Sequence, residues 1–318
     1  MVKRILSSKT FLIFVIILVI FIGAGSFIPN FLTIANLLNV IRQSSIISIV
    51  AYGMAMAIII KGIDLSSAGV MEACAMITGL LLLQHVPLFF SILAGLAAGT
   101  LMGFFNGLMV EKLEVPSFIT TLTVGQVAGG LALILNGGNS LGGMPDNYVF
   151  IGNGSFLGMP ISNWITFAYM IISALIMGQT RLGTHIYALG GNDLVVKQQG
   201  IKTSTINYFV FAFSGFCAAT AGILLSAQMN TVHPTEGGNY QMDAVAASVI
   251  GGVNMAGGEG KVYMALVGAL VIGFLRNAMN LLGIHPFYQN IFIGALIIVI
   301  VAISINSKRR EIEASKVF

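Results

Sequence analysis

Charged residues are scarce in this chain. Only 8% of the 318 residues are Asp, Glu, Lys or Arg, whereas soluble globular domains carry roughly 25%. Apolar residues make up 57%, and the mean hydropathy is +0.94. This composition excludes a soluble domain, and it is far too apolar for a disordered chain. It predicts a polytopic, all-α protein of the lipid bilayer, in which the 38 glycines let helices approach one another closely.

Patterns for disulfides, metal binding and catalysis are also lacking. The only two cysteines, Cys74 and Cys217, lie inside apolar runs, which disfavours a disulfide framework. The four histidines are scattered without the spacing of metal ligands. No Walker A loop, zinc-protease motif or supported Ser/His/Asp grouping occurs. We therefore expect no catalytic residue, metal or cofactor, an intramembrane enzyme is disfavoured, and any ATPase that drives the protein is a separate chain.

Long apolar runs dominate what is present, and they predict about ten transmembrane helices. The first run exceeds the 7–15 apolar residues of a cleavable signal peptide, so we expect an uncleaved span. Residues 33–42 are only mildly apolar and suit a segment along the membrane interface. The run from Asp243 to Met255 is too short to cross as one helix, and Gly251-Gly252 interrupts it, which predicts a broken or re-entrant helix. The predicted spans cover about residues 10–28, 44–60, 64–83, 88–110, 118–135, 164–177, 208–228, 243–255, 262–282 and 288–305.

The positions of the basic residues predict the orientation. With the N-terminus inside and ten crossings, every Lys and Arg except Arg42 and Arg276 falls on the cytoplasmic side, which positive residues favour. Both termini are then cytoplasmic. The net charge of +4 is dispersed and forms no face for nucleic acid. The inside set is Lys3, Arg4, Lys9, Lys61, Lys112, Arg181, Lys197, Lys202, Lys261, Lys308, Arg309, Arg310 and Lys316.

A weak internal sequence similarity relates the two halves of the chain. Asp64 opens the third crossing as Asp243 opens the eighth, and residues 103–106 resemble 273–277 with one extra residue. Each pair falls on opposite sides of the predicted membrane. Two inverted five-helix halves, an arrangement common in transporters, would produce this pattern. Matches this short also arise by chance.

The segment 179–207 is the one long polar stretch that carries several positive charges. Within it, Gly190-Gly191-Asn192-Asp193 leads into residues 194–199, and Gly200 follows. Asn or Asp in front and Gly behind are helix start and stop signals. We predict a short cytoplasmic helix, held clear of the membrane by glycine turns, on which a partner pushes. The alternative is a solvated connecting loop.

Ionisable and polar side chains within predicted spans are candidates for a translocation pathway, because they are costly in a membrane. Asp64 and Asp243 lie at predicted helix starts, so each also fits a capped helix end. Arg276 either pairs with Glu72 or faces a hydrated pathway, and the sequence allows both. The candidate pathway residues are Asp64, Ser66, Glu72, Asp243, Ser248, Asn254, Arg276 and Asn277.

Several stretches together resemble the signatures of ribose-type ABC transporter permeases. They occur in the right order over nearly the whole chain. The stretches are Gly62-Ile63-Asp64-Leu65-Ser66, Arg181-Leu182-Gly183, Tyr187-Ala188-Leu189-Gly190-Gly191-Asn192, Gly200-Ile201, residues 242–252, Gly257-Gly258-Glu259-Gly260 and Asn280-Leu281-Leu282-Gly283.

The resemblance implies one multi-pass permease domain over residues 1–318 in a bacterial inner membrane. It would move a small polar solute, most simply a monosaccharide, by alternating access. It implies as partners a second permease subunit, identical or paralogous, two cytoplasmic ATP-binding subunits and an extracytoplasmic substrate-binding protein. The predicted helix would dock into the ATPase. The implied coupling residues are Gly190, Gly191, Asn192, Asp193, Val196, Lys197, Gly200 and Ile201.

The chain departs from that family pattern at two places, residues 67–69 and 194–199. These departures leave the identities of the solute and of the ATPase open. The alternative function is an ion-coupled secondary transporter of a small polar solute, which would carry its own coupling carboxylates at Asp64, Glu72 or Asp243.

Overall fold

The computed structural model describes residues 27–296, together with 23, 25, 298, 299 and 302. In this part of the chain six helical segments are long and apolar enough to cross a membrane. The protein is thus a polytopic, all-α membrane protein, with four two-residue strands outside the helices. The six segments are α1 (Ile34–Ile59), α3 (Leu88–Lys112), α4 (Ser117–Leu135), α6 (Ile161–Gln179), α9 (Thr203–Met229) and Val262–Leu281, which joins a 3₁₀ turn to α11 (Ala265–Leu281).

Two further helices inside the bundle are short. α2 (Ser67–Leu83) has 17 residues and α10 (Gly238–Ile250) has 13. At a rise of 1.5 Å per residue, α10 is only about 20 Å long and cannot span a ~30 Å hydrocarbon core. It ends at the Gly251-Gly252 interruption, and Gly252 has a φ of +89°. The prediction of a broken helix here is confirmed, although α10 begins five residues earlier than expected.

The predicted spans from the second to the ninth correspond to helices. The first predicted span lies almost entirely outside the described residues, and the tenth continues beyond residues 286–296, which are helical. The interfacial segment predicted at residues 33–42 is wrong, because α1 runs without a break from Ile34. Thr33 caps this helix through a hydrogen bond from the Asn36 backbone N–H, and the Asn36 and Asn277 amides pair at 2.8 Å.

Close packing of α3 against α9 forms the centre of the bundle. Gly99 and Gly103 of α3 lie so near α9 that a Cβ on either would clash with the backbone carbonyl of Gly215 or Phe211. α9 is the most buried of the six long segments. This contact explains the four-residue glycine spacing, which lets helix backbones meet in lipid.

The loops gather at the two ends of the bundle. The end that we call the basic face joins loops 60–66, 111–117, 180–202 and 251–261, and it carries Lys61, Lys112, Arg181, Lys197, Lys202 and Lys261. Glu111 links the end of α3 to the beginning of α9 at this face, because its carboxylate accepts from Thr203 Oγ1 at 2.6 Å and Asn207 Nδ2 at 2.5 Å.

The opposite end, which we call the loop face, contains a short amphipathic helix and two strand pairs. The helix, α5 (Asp146–Asn153), is anchored by the Tyr148 hydroxyl, which donates to the Ile223 carbonyl at 2.9 Å. Strand β1 (Leu141–Gly142) pairs antiparallel with β4 (Thr231–Val232), and β2 (Ser155–Phe156) pairs with β3 (Met159–Pro160). The Tyr148 hydrogen bond and the β1–β4 pair connect this region to α9 and to the strand that follows it.

Candidate functional site

The polar segment after α6 folds as two consecutive helices, α7 (Arg181–Gly191) and α8 (Asp193–Gln198). Asn192 caps α8, since its Oδ1 accepts from the backbone N–H groups of Leu194 at 3.1 Å and Val195 at 3.3 Å. Gly200 follows with a φ of +73°, a left-handed conformation that favours glycine. The predicted start and stop of the short helix are therefore confirmed.

The glycine turn predicted in front of that helix is wrong. Gly190 and Gly191 form the last turn of α7. Gly190 is buried there, and a Cβ at this position would clash with the Ile59 carbonyl and the Gly258 backbone nitrogen. Glycine is required at 190 for close approach of α7 to the loops beneath α1 and α10, whereas a Cβ on Gly191 would meet nothing within 4 Å.

α8 has two sides with different roles. Val196 is only 2% exposed and packs into the main apolar core. Leu194 and Val195 are 65% and 48% exposed, and Asp193 and Lys197 are exposed beside them. An apolar surface that lies outside the spanning helices, with charges at its rim, is typical of a protein contact. The helix is thus anchored by one residue and presents two others outward.

Three loops meet beside Gly190. The Gly258 N–H donates to the Ile59 carbonyl at 2.8 Å, and Lys61 Nζ donates to the Gly191 carbonyl at 3.3 Å. The Tyr187 hydroxyl donates to the Gly260 carbonyl at 2.6 Å. Burial raises the pKa of Tyr187, so this hydroxyl remains a donor. The Tyr187 bond connects α7 directly to the loop that follows α10, and the other two bonds join both of them to the end of α1 and the loop after it.

Asn254 belongs to this same junction. Its side chain donates to Glu259 Oε2 at 2.9 Å and accepts from the Ala256 N–H at 3.0 Å. The structure places it in the loop after α10, on the basic face and beyond the end of that helix. Its spacing in the sequence gave no sign of this, because the chain reverses direction at Gly257 and Gly258.

Arg276 of α11 forms a bidentate ion pair with Asp243 of α10. Its Nε lies 2.8 Å from Oδ2, and the second hydrogen bond to Oδ1 is 2.9 Å long. The Asp243 side chain is 3% exposed and that of Arg276 is 18% exposed. This arrangement excludes the Glu72–Arg276 pairing considered above. Asp243 lies in the second turn of α10 and not at its start, so the helix-capping interpretation is wrong for this residue.

Glu72 instead holds the beginning of α10. Its Oε1 accepts from the N–H of Gly237, the N-cap residue, at 3.0 Å. Glu72 also lines a narrow cleft with His233 and Glu236, of which only about 10 Å³ is wide enough for water. α2 and the first turn of α10 therefore meet at this carboxylate, and Gly237 packs against the Ala68 backbone as well.

Asp64 lies in a buried polar cluster before α2. Its Oδ1 accepts from the Ser66 N–H at 2.9 Å and from Ser66 Oγ at 2.5 Å. Asn106 Nδ2 of α3 donates to Ser66 Oγ at 2.8 Å. Ser66, not Asp64, is the N-cap residue of α2. Asn106 was missed as a candidate site residue. The only sequence signal for it was its position in the stretch 103–106, which resembles 273–277.

Ser248 and Asn277 hold helices together. Ser248 Oγ lies 3.1 Å from the Ala51 carbonyl of α1 and 2.7 Å from the Ala244 carbonyl of its own helix. Asn277 pairs with Asn36, as described above. The structure thus separates the predicted pathway residues into a polar cluster at Asp64, a cleft at Glu72, an ion pair at Asp243, and helix contacts.

Comparison with known proteins gives a consistent result. A family model described as "Branched-chain amino acid transport system / permease component" matches residues 36–301. The ribose import permease protein RbsC of Haemophilus influenzae is 39% identical over 92% of this chain and 91% of its own length. The L-arabinose transport system permease protein AraH of Escherichia coli K12 is 32% identical over 89% and 87%. The D-allose transport system permease protein AlsC of the same strain is 33% identical over 92% and 90%. No solved structure matches the chain.

Proposed function

Because the chain belongs to this family of transport-system permease components, we propose that it is the membrane permease subunit of an ATP-driven importer for a monosaccharide. The observation that carries the proposal is near-full-length similarity to relatives that are named permeases for ribose, arabinose and allose. The chain is then a multi-pass protein of the bacterial inner membrane. The same similarity favours an ATP-driven importer over the ion-coupled alternative.

We propose that α8 is the element through which ATPase subunits act. Supporting this role, α8 lies on the basic face, which the positive-inside rule assigns to the cytoplasm. It exposes Leu194 and Val195 while Val196 fixes it to the bundle. The rest of the proposed coupling surface consists of Gly190, Gly191, Asn192, Asp193, Lys197, Gly200 and Ile201. Of these, Gly190 acts by packing against other loops, and Asn192 acts by capping α8.

The proposed route from the ATPase to the pathway runs through α7. A displacement of α8 moves α7, and the Tyr187 hydrogen bond and the close packing of Gly190 against the loop at 257–260 pass it to α10. α10 carries Asp243 and begins at the cleft beside Glu72. Because α10 is short and is held by few hydrogen bonds at its ends, it is suited to move between two positions. Alternating access requires such an element. The pathway is thus proposed to lie along α10.

The complete assembly is proposed to contain two permease subunits, identical or paralogous, two cytoplasmic ATP-binding subunits and an extracytoplasmic binding protein. We also propose ten crossings with both termini cytoplasmic. The inverted relation of the two halves has some support from α2 and α10, which are both short and both begin inside the bundle next to a carboxylate.

Replacing one exposed apolar residue of α8 tests the coupling role. In Leu194→Asp a charge is placed in the proposed contact, and the lost burial of a leucine predicts about a tenfold to hundredfold weaker association with the ATPase. Copurification of the ATPase subunits and ATP-dependent uptake of D-ribose, L-arabinose and D-allose into proteoliposomes are measured. Gln199→Asp, an exposed polar position after the same helix, is the control and should bind normally.

Two results would count against the proposal in different ways. If Leu194→Asp binds the ATPase and transports like the unmodified protein, α8 is not the coupling element. If the unmodified complex takes up none of the three sugars in the presence of ATP, the assignment as a monosaccharide importer is wrong.

A further inference from the structure

A cavity of about 370 Å³, lined by both polar and apolar residues, opens beside the Arg276–Asp243 ion pair. It is lined by the first residues of α10, by the ion pair, and by Asn290, Ile293 and Gly294 of the last described helical stretch. Its size is within the range of small-molecule sites. Arg276 lies within the Val262–Leu281 span, about 8 Å along the helix axis from its Leu281 end, so it is inside the ~30 Å hydrocarbon core and nearer the loop face.

Polar groups that have no protein partner line the cavity at this depth of the membrane. In the described part of the chain the side-chain amides of Asn239 and Asn290 make no hydrogen bond. The first turn of α10 adds backbone N–H groups that have no partner within the helix. Polar groups at this depth need water, protein or a solute. The cavity therefore suits a ligand that both donates and accepts hydrogen bonds.

The charge of the cavity restricts the class of ligand. Arg276 and Asp243 neutralise each other through two hydrogen bonds, and the other lining residues are uncharged. A guanidinium retains three more N–H donors, and each carboxylate oxygen can accept again. Hydroxyl groups can use these positions without disturbing the pair. A carboxylate or ammonium group would need its own counter-charge, and taking one from the pair would leave a buried charge uncompensated.

We propose that this cavity is a contact site for the transported solute and that it selects an uncharged polyhydroxylated molecule over an amino acid. The inference rests on the proposed transport function and deepens it. The family description names branched-chain amino acids, whereas the similar permeases named above are for sugars. A neutral cavity with amide side chains and an ion pair that is already satisfied favours a sugar over an amino acid. Asn239 and Asn290 are the specificity-determining residues.

A second groove, between α3 and α4, does not fit this role. Its lining is almost entirely apolar, with Leu101, Phe105, Ile119, Val127 and Leu131 among the residues. Thr123, one of its few polar residues, donates to the Ile119 carbonyl of its own helix. The groove offers a hydroxylated solute almost no partner, so it provides a matched apolar control surface.

Cysteine labelling of the assembled transporter in membranes tests the proposal. Asn290→Cys should react with a small hydrophilic thiol reagent, while Cys74 and Cys217 are fully buried and give a low background. We expect D-ribose, L-arabinose or D-allose at saturating concentration to slow the reaction at least threefold, and L-leucine and ribose 5-phosphate to leave it unchanged. Leu131→Cys should not react, and Asn147→Cys on the loop face should react without protection.

Uptake kinetics provide an independent test of the cavity assignment. Asn290→Ala should lower kcat/KM for the transported sugar about threefold to tenfold, the effect of one lost hydrogen bond, and Asn147→Ala should not. Failure of Asn290→Cys to react, protection by none of the sugars, or equal protection by leucine would overturn the cavity assignment. These outcomes are separate from failure of ATP-dependent sugar uptake by the unmodified complex, which would instead overturn the proposed function.

Discussion

The hydroxyl of Tyr187 joins α7 to the loop that follows α10 through a single hydrogen bond. It donates to Gly260 at 2.6 Å, and Gly260 adopts a φ of +131° in the loop that follows α10. No other side chain of α7 makes a hydrogen bond to that loop in the part of the chain that the structure describes. Removal of this hydroxyl should therefore affect the proposed communication between α8 and α10 while leaving the ring in place.

Tyr187→Phe should reduce sugar uptake relative to ATP hydrolysis by about twofold to tenfold, since one hydrogen bond contributes about 0.5–1.5 kcal/mol. The ratio of ATP hydrolysed to sugar transported in proteoliposomes measures this effect, which simple loss of stability would not change. Tyr263→Phe is the matched control, because the Tyr263 hydroxyl has no hydrogen-bond partner among the described residues. An unchanged ratio in Tyr187→Phe would remove the residue from the proposed route.

At the scale of elements, the short helices α2 and α10 are held at their beginnings by carboxylates. Asp64 accepts from the N–H of Ser66, the N-cap residue of α2, and Glu72 accepts from the N–H of Gly237, the N-cap residue of α10. Negative groups stabilise helix N-termini, where N–H groups lack partners. Glu72 itself belongs to α2, so the two helices form one connected unit. Displacement of either helix must alter the cleft between them.

The contact between α7 and this unit predicts opposite effects at adjacent glycines. Gly190→Ala should disrupt the junction, because its Cβ would overlap the Ile59 carbonyl, a backbone atom that cannot rotate away. Gly191→Ala has open space and should be neutral or slightly stabilising, since alanine favours the helix more than glycine. Thermal stability of the purified subunit and uptake by the complex are measured. Equal behaviour of the two variants would contradict the close approach described here.

At the scale of the whole molecule, the bundle has chemically different ends. Lys61, Lys197, Lys202 and Lys261 all lie on the basic face, whereas the described part of the loop face has Arg42, which donates to Asn153 at 3.3 Å, near its edge. This asymmetry is what the positive-inside rule predicts for a protein with its basic face in the cytoplasm. The proposed ATPase contact then lies at the cytoplasmic end, and the loop face lies at the opposite end.

Sidedness is tested by labelling with a membrane-impermeant thiol reagent. Lys197→Cys should react only in inside-out vesicles or permeabilised cells, and Asn147→Cys should react in intact spheroplasts. Both positions are exposed, so a difference between them reports orientation. Reaction of Lys197→Cys in intact spheroplasts would place α8 outside the cell and exclude its contact with a cytoplasmic ATPase.

The sequence by itself determined the class of protein, the approximate spans and the position of α8. These features depend on local patterns: apolar runs long enough for the bilayer, an Asn192 cap and a glycine stop at 200. The broken eighth helix was also predictable, because Gly251-Gly252 interrupts a short apolar run. The order of its motifs was enough to indicate the family, which the comparisons confirmed.

Only the tertiary structure decided which polar residues are partners. Arg276 pairs with Asp243, 33 positions away, and not with Glu72. Gly190 is required by a contact with Ile59. Residues 34–42 belong to α1, where Asn36 pairs with Asn277 of α11. In a membrane nearly every helix is apolar throughout, so hydrophobic periodicity does not reveal which faces meet. Those contacts depend on small residues and buried hydrogen bonds, whose partners are distant in the chain.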